Sequence, residues 1–222
     1  MATPKSQRIG IWIIAIVLVL GTLGSFLAMI LGTQNQEIDT ANLKKVQTEY
    51  QAEVAKRDEQ VAIQTKQLSD KYYPEFSVYA STPAAFNADD IKEVTKTDIK
   101  VGDGEEIKTG TEYNAYYIGW NPKGVIFDQS IVGGALAAPI VGGKLILGWE
   151  EGVKGMKIGG VREISTPSDK AYGKEGSGEN IPADTPLKFI IMAIPKVPVI
   201  TEVTVPQLLI DNYQSQQQQY QQ

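Results

Sequence analysis

Between Tyr117 and Phe189 the chain carries a run of short motifs: Tyr117-Ile118-Gly119, Phe127-Asp128, Leu145-Ile146-Leu147-Gly148-Trp149-Glu150-Glu151-Gly152, Ala171-Tyr172-Gly173, Ile181-Pro182 and Leu187-Lys188-Phe189. Together they list the parts of an aromatic-lined pocket with one carboxylate at its rim. Such a pocket holds an apolar group away from water but offers no strong nucleophile. Histidine and cysteine are both absent from the chain. That excludes a Ser-His-Asp triad, a Cys-His pair and a zinc site of the Cys/His kind. Disulfides are excluded with them, and no metal or cofactor site is expected. Glu150 and Glu151 are neighbours, which on a helix point in different directions, so they read as helix-start residues rather than an acid–base pair.

The elements that must place these residues are short. Glu112 to Trp120 alternates, with Tyr113, Ala115 and Tyr117 on one face, and Val125 to Asp128 follows a turn at Gly124. Gly160 to Thr166 and Leu187 to Ile194 read as further strands, the latter with Leu187, Phe189 and Ile191 on one face. A mostly antiparallel sheet is the expectation. One short helix, Trp149 to Met156, stands among them, with Gly159 beyond its end.

Outside residues 86–198, which are large enough for one core, the chain changes character. Residues 1–8 form a short N-terminus. Residues 9–32 hold no charged side chain, and at ~1.5 Å per residue their helix would be about 36 Å long, against a hydrocarbon core of ~30 Å. A cleaved signal peptide has a shorter apolar region, of about 7–15 residues. A transmembrane helix in contact with membrane lipid is therefore expected. Lys5 and Arg8 precede it closely, whereas the first basic residues after it are Lys44 and Lys45. This asymmetry predicts a cytoplasmic N-terminus, with the bulk of the chain outside the cytoplasmic membrane; a bacterial cell envelope is the expected location.

Residues 33–73 lack glycine and proline and predict a helical arm that Pro74 ends. Val54, Val61 and Leu68 recur at seven residues, as a homodimeric coiled coil would require, but Arg57 and Gln64 occupy the second seam row. A solvated spacer is the favoured reading. Residues 74–85 form an irregular connector, and the glutamine-rich tail, 199–222, has a composition that predicts disorder. Net charge is −5, which argues against nucleic acid as a partner. Gly143-Lys144 is followed by Leu145, so no phosphate loop is present either.

The ordered motifs resemble the FKBP-type peptidyl-prolyl cis-trans isomerases, over about Asp98 to Ile194. The Gly148-to-Gly152 run and Ala171-Tyr172-Gly173 carry most of the likeness, with Phe127-Asp128 upstream and Ile181-Pro182 downstream. The resemblance implies an α+β fold, a half-open antiparallel β-sheet wrapped around a short α-helix. It implies Trp149 as pocket floor, Tyr117, Phe127 and Phe189 as walls, and Leu145 and Ile181 as apolar lining. It implies further that Ile146 N–H meets a substrate carbonyl, that the Tyr172 hydroxyl bonds substrate backbone, and that Asp128 sits near the reacting carbonyl. Substrates would be proline-containing polypeptides, and macrolides would bind the same pocket. Two departures stand out. Residues 131–139, with Ala137 among them, replace a basic residue and one or two phenylalanines, and Ser177 replaces a residue often larger in the flap.

Three functions follow as expectations. The first is a membrane-anchored isomerase for unfolded or exported proteins. The second is a non-catalytic, membrane-tethered peptide-binding or holdase module whose altered 131–139 wall has lost turnover. The third is a structural tether with a passive head. Survival of the whole residue set favours the first.

Overall fold

The computed structural model describes residues 40–143 and 145–219. The apolar run 9–32 and its flanks lie outside the described residues. Among the described residues no helix is long and apolar enough to cross a membrane. The described residues fall into two units, 50–205 and a second made of 40–49 with 206–219.

In the Tyr50–Val205 unit the sheet has the order β1-β7-β8-β2-β3, with β6 also paired to β2. Its strands are β1 (Thr95–Lys100), β2 (Tyr113–Trp120), β3 (Ile126–Gln129), β6 (Ile140–Val141), β7 (Val161–Thr166) and β8 (Leu187–Pro195). All the pairings are antiparallel. A separate hairpin joins β4 (Ile131–Val132) to β5 (Ala135–Leu136) through Gly133 and Gly134, both at positive φ, as such a tight turn requires. One edge of β2 runs along β8 for its whole length. The other is shared between β6 at Asn114 and Ala115 and β3 at Ile118 to Trp120. Ser130 bridges the gap: Tyr117 N–H donates to its Oγ at 2.9 Å, and its own N–H donates to Tyr117 O at 2.8 Å.

The expected helix is present but earlier and shorter, at Leu147–Val153, because the chain turns out through Gly155 at positive φ. Gly148 and Gly152 lie one turn apart and face Thr166 and Ile164 of β7; a Cβ on Gly152 would stand 2.8 Å from Ile164 Cγ2. Glycine at these two places is what lets the helix lie on the sheet. Arg162, buried in β7, anchors its far end, donating to Gly152 O at 2.9 Å and Lys154 O at 3.1 Å while Asp98 accepts from its Nε and Nη2. That hydrogen bonding holds the Asp98 carboxyl below its usual range.

Two apolar clusters lie on opposite faces of the sheet. The inner one contains Tyr113, Ala115, Trp149, Val153, Ile164, Leu187, Phe189 and Ile191. The outer one, with Tyr116, Ile118, Trp120, Ile190, Met192 and Ile194, is closed by Phe76, Tyr72, Tyr73, Tyr79 and Phe86. The arm therefore corrects two expectations. It is one helix, Thr40–Phe76, that continues through Pro74, and its last turns form a layer of the domain rather than a solvated spacer. Proline lacks the N–H that would bond Asp70 O, and burial of Phe76 on the sheet offsets that loss. Residues 77–81 are a 3-10 turn, and Trp120 Nε1 donates to Ala84 O at 3.1 Å, so the connector is strapped to the sheet. Further along, Gln64 Nε2 donates to Pro198 O at 3.0 Å and Arg57 pairs with Glu202. Both seam-row polar residues are thus engaged by their own chain.

One group in the outer cluster is poorly served. The Tyr116 hydroxyl is buried without a hydrogen-bond partner among the described residues, and burial pushes its pKa up to about 12. Tyr116→Phe keeps the ring and removes the stranded hydroxyl. It is expected to be neutral or to stabilise by about 1 kcal/mol, read by chemical denaturation, whereas a loss above ~1 kcal/mol would show that the hydroxyl is satisfied.

In the other unit, Gln207–Gln219 is helical, which corrects the expectation of a disordered tail. Pro206 O accepts from Leu209 and Ile210 N–H to start it, and Gln207 bonds Asp211 one turn on. Glutamine is among the better helix formers and no glycine or proline interrupts the run.

Candidate active site

Four rings meet on the inner face. Tyr113, Ala115, Tyr117 and Gly119 point the same way along β2, and Phe189 of β8 is the cross-strand neighbour of Gly119. Trp149, on the first turn of the helix, lies edge-on to Tyr117 with centroids 5.5 Å apart and to Phe189 at 5.6 Å. Phe127 of β3 is edge-on to Phe189 at 5.5 Å. These are the separations and tilts aromatic quadrupoles prefer. Trp149 is only 2% exposed, and its Nε1 donates to the Tyr113 hydroxyl at 3.1 Å. It is therefore a dry base with its single polar atom satisfied. Burial pushes the Tyr113 hydroxyl up to about 12.

Polar groups ring the edge. The Tyr117 hydroxyl donates to Asp128 Oδ2, and Asp128 Oδ1 accepts from Gln129 N–H at 2.8 Å. Burial, then the bond to Asp128, raises the Tyr117 pKa. Asp128 itself is exposed, a carboxylate fixed at a rim. Tyr172 is 38% exposed, and its hydroxyl has no hydrogen-bond partner among the described residues; burial and then the charge of Asp128 raise its pKa.

The helix start leaves a donor free. Ile146 O accepts from Trp149 and Glu150 N–H, and Leu145 N–H donates to Glu150 Oε1 at 3.1 Å. Between them Ile146 N–H, on extended backbone at φ −60° and ψ 150°, finds no acceptor among the described residues. Among the described residues the site thus presents two unengaged donors and one carboxylate around an aromatic base. It can bind a peptide by its backbone and enclose an apolar side group.

A family model for the FKBP-type peptidyl-prolyl cis-trans isomerases matches residues 103–194. The chain is 43% identical over 96 residues to a probable FK506-binding protein of Corynebacterium glutamicum, covering 43% of this chain and 80% of that protein. It is 39% identical over 93 residues to an FK506-binding protein of Neisseria meningitidis, covering 41% of this chain and 85% of that protein. This chain belongs to the FKBP-type peptidyl-prolyl cis-trans isomerases. An FK506-binding protein 4 of Rhizopus delemar is 38% identical over 92 residues, 41% of this chain but only 24% of that larger protein. Most of the short bacterial relatives is covered, and about a quarter of the fungal one.

Within this FKBP-type domain Tyr117, Phe127, Trp149 and Phe189 gather as a single ring cluster, with Ile146 and Ile181 packed against or within it. Asp128 and Tyr172 stand at its edge. Leu145 precedes the helix, is 37% exposed, and donates its N–H to Glu150. The 131–139 segment contributes no ring. Leu136 and Ile131 pack into the outer cluster instead. Three supporting residues escaped sequence reasoning. Tyr113 had its face assigned but not its role as partner of Trp149. Gly119 breaks the alternation of β2 at the point where two phenylalanines converge, which was the signal available for it. Ser130 gave no signal, since its contacts are long-range.

Proposed function

We propose that the domain accelerates rotation about X-Pro bonds in unfolded or exported polypeptides. What supports this most is the unengaged Ile146 N–H beside the Trp149, Tyr117 and Phe189 rings. A proline ring seats on the aromatic base while Ile146 N–H and the Tyr172 hydroxyl hold the flanking backbone. The barrier is ~18–20 kcal/mol because rotation breaks amide resonance. A planar amide is more dipolar than a twisted one, so an apolar pocket favours the twisted form relative to water. Contacts that fit only the twisted bond add transition-state binding, and each ~1.4 kcal/mol of that preference gives tenfold in rate. No bond is cleaved and no cofactor is required.

In a proline-limited refolding assay the parent chain accelerates the slow phase, and Tyr172→Phe or Asp128→Ala reduces kcat/KM by several-fold, about the loss of one hydrogen bond. No acceleration in any proline context would leave the peptide-binding, holdase reading, which the ring-free 131–139 wall favours. FK506-type macrolides, named for the relatives, would compete for the same pocket and inhibit the assay; absence of inhibition alongside activity would assign the difference to Ser177 and that wall. We further propose that residues 9–32 anchor the chain in the cytoplasmic membrane with the domain outside. The support is the uncharged apolar run and the closeness of Lys5 and Arg8. External protease on intact cells should release the domain, and full protection would reverse this orientation. With Arg57 and Gln64 engaged within the chain, the arm is read as a strut of one molecule, and a dimeric mass in solution would overturn that.

A further inference from the structure

We infer that Ser69, on the arm helix, is a positioning residue for the isomerase site: it fixes the β4–β5 hairpin that flanks Tyr117 and Asp128, so that the arm sets the pocket wall. The inference rests on the isomerase reading above and extends it to a residue outside the family-matched segment.

Ser69 is buried, and its Oγ accepts from Leu136 N–H at 2.9 Å. Leu136 is the last residue of the hairpin, so an arm residue satisfies this buried donor. The Leu136 side chain packs in the same outer cluster as Phe76, which gives the hairpin a second hold on the arm. The next residue continues inward. Ala137 N–H donates to Ser130 O at 2.9 Å, and Ser130 fills the gap on β2 by bonding both the N–H and the O of Tyr117. Tyr117 in turn presents its ring to Trp149 and its hydroxyl to Asp128. Short direct hydrogen bonds thus connect Ser69 to the residue that carries one wall of the site.

The hairpin needs such a hold. Because 131–139 places no ring in the inner cluster, packing there does not locate it. With a two-glycine turn at Gly133 and Gly134 and only the pairs Ile131–Leu136 and Val132–Ala135, the hairpin is too small to be stable by itself. Its position is set by what it touches, and what it touches on the outer side is the arm.

The test uses the full chain with Ser69→Ala and Ser69→Thr, the second keeping a hydroxyl. Kinetics on proline tetrapeptides are read together with amide hydrogen exchange at Leu136, Ala137 and Ser130, with Ile191 in β8 as the internal control. Ser69→Ala is expected to raise KM about three- to tenfold with kcat within about twofold, as one lost hydrogen bond would. Exchange at Leu136 and Ala137 should quicken while Ile191 is unchanged, and Ser69→Thr should restore both readouts. Faster exchange at Leu136 with unaltered KM would make Ser69 a structural cap and overturn this role alone. A parent chain without activity would overturn the isomerase reading and this role with it.

Discussion

Phe76→Ala is expected to destabilise the Tyr50–Val205 unit by about 3–5 kcal/mol, the range for removing a buried phenylalanine. Phe76 is wholly buried, and its ring lies 6.3 Å from that of Tyr116 and 6.1 Å from that of Tyr79. It is the residue that brings the end of the arm helix onto the outer face of the sheet. At roughly 2–4 °C per kcal/mol for a chain of this size, the melting midpoint should fall by about 10 °C. The control is Gln67→Ala, an exposed arm position, which should stay within about 0.5 kcal/mol. If the arm were only a solvated spacer, the two substitutions would behave alike. Equal, small effects in calorimetry would therefore remove the arm from the folded unit.

The reason the arm must dock is visible in the strands it covers. β2 and β8 are buried on both faces, with Tyr116, Ile118 and Trp120 alternating against Tyr113, Ala115 and Tyr117. A strand with one solvated face would show polar residues at every second position. The unbroken apolar run Ile190 to Ile194 fits a strand covered on both faces, and the aromatic-rich stretch Tyr72 to Phe86 supplies the second cover. Pro74 concealed the answer, since proline usually ends a helix and here does not. The site was far more legible than the arm. Its rings come from strand alternation and from a helix start, both local patterns, and their order along the chain is preserved. Ser130 and the Ser69–Leu136 contact were illegible because they join residues distant in sequence through small polar side chains, which leave no periodic trace.

Gly119→Ala should damage the site far more than the fold. Gly119 occupies the inner face of β2 where Tyr117 would otherwise be followed by another side chain, and Phe127 and Phe189 converge over it. A Cβ there would lie 2.5 Å from Phe127 Cζ and 2.8 Å from Phe189 Cε1. Gly119 is not among the positive-φ residues, so alanine carries no conformational strain of that kind, and the effect is steric. Both rings must turn or retreat, and Phe189 takes with it the edge contact to Trp149. Overpacking of this kind costs about 1–3 kcal/mol in stability. Displacing pocket walls by ~1 Å costs far more in rate, on the order of 100-fold in kcat/KM. The expected result is thus a folded, modestly destabilised chain with little activity in the proline-limited refolding assay. The cause can be isolated by repeating Gly119→Ala in a Phe127→Leu background, where the colliding ring atom is gone. The penalty of the alanine should then shrink by several-fold, a coupling expected only of groups in contact. Full activity in the single variant, or an equal penalty in both backgrounds, would mean that these two rings do not shape the productive pocket.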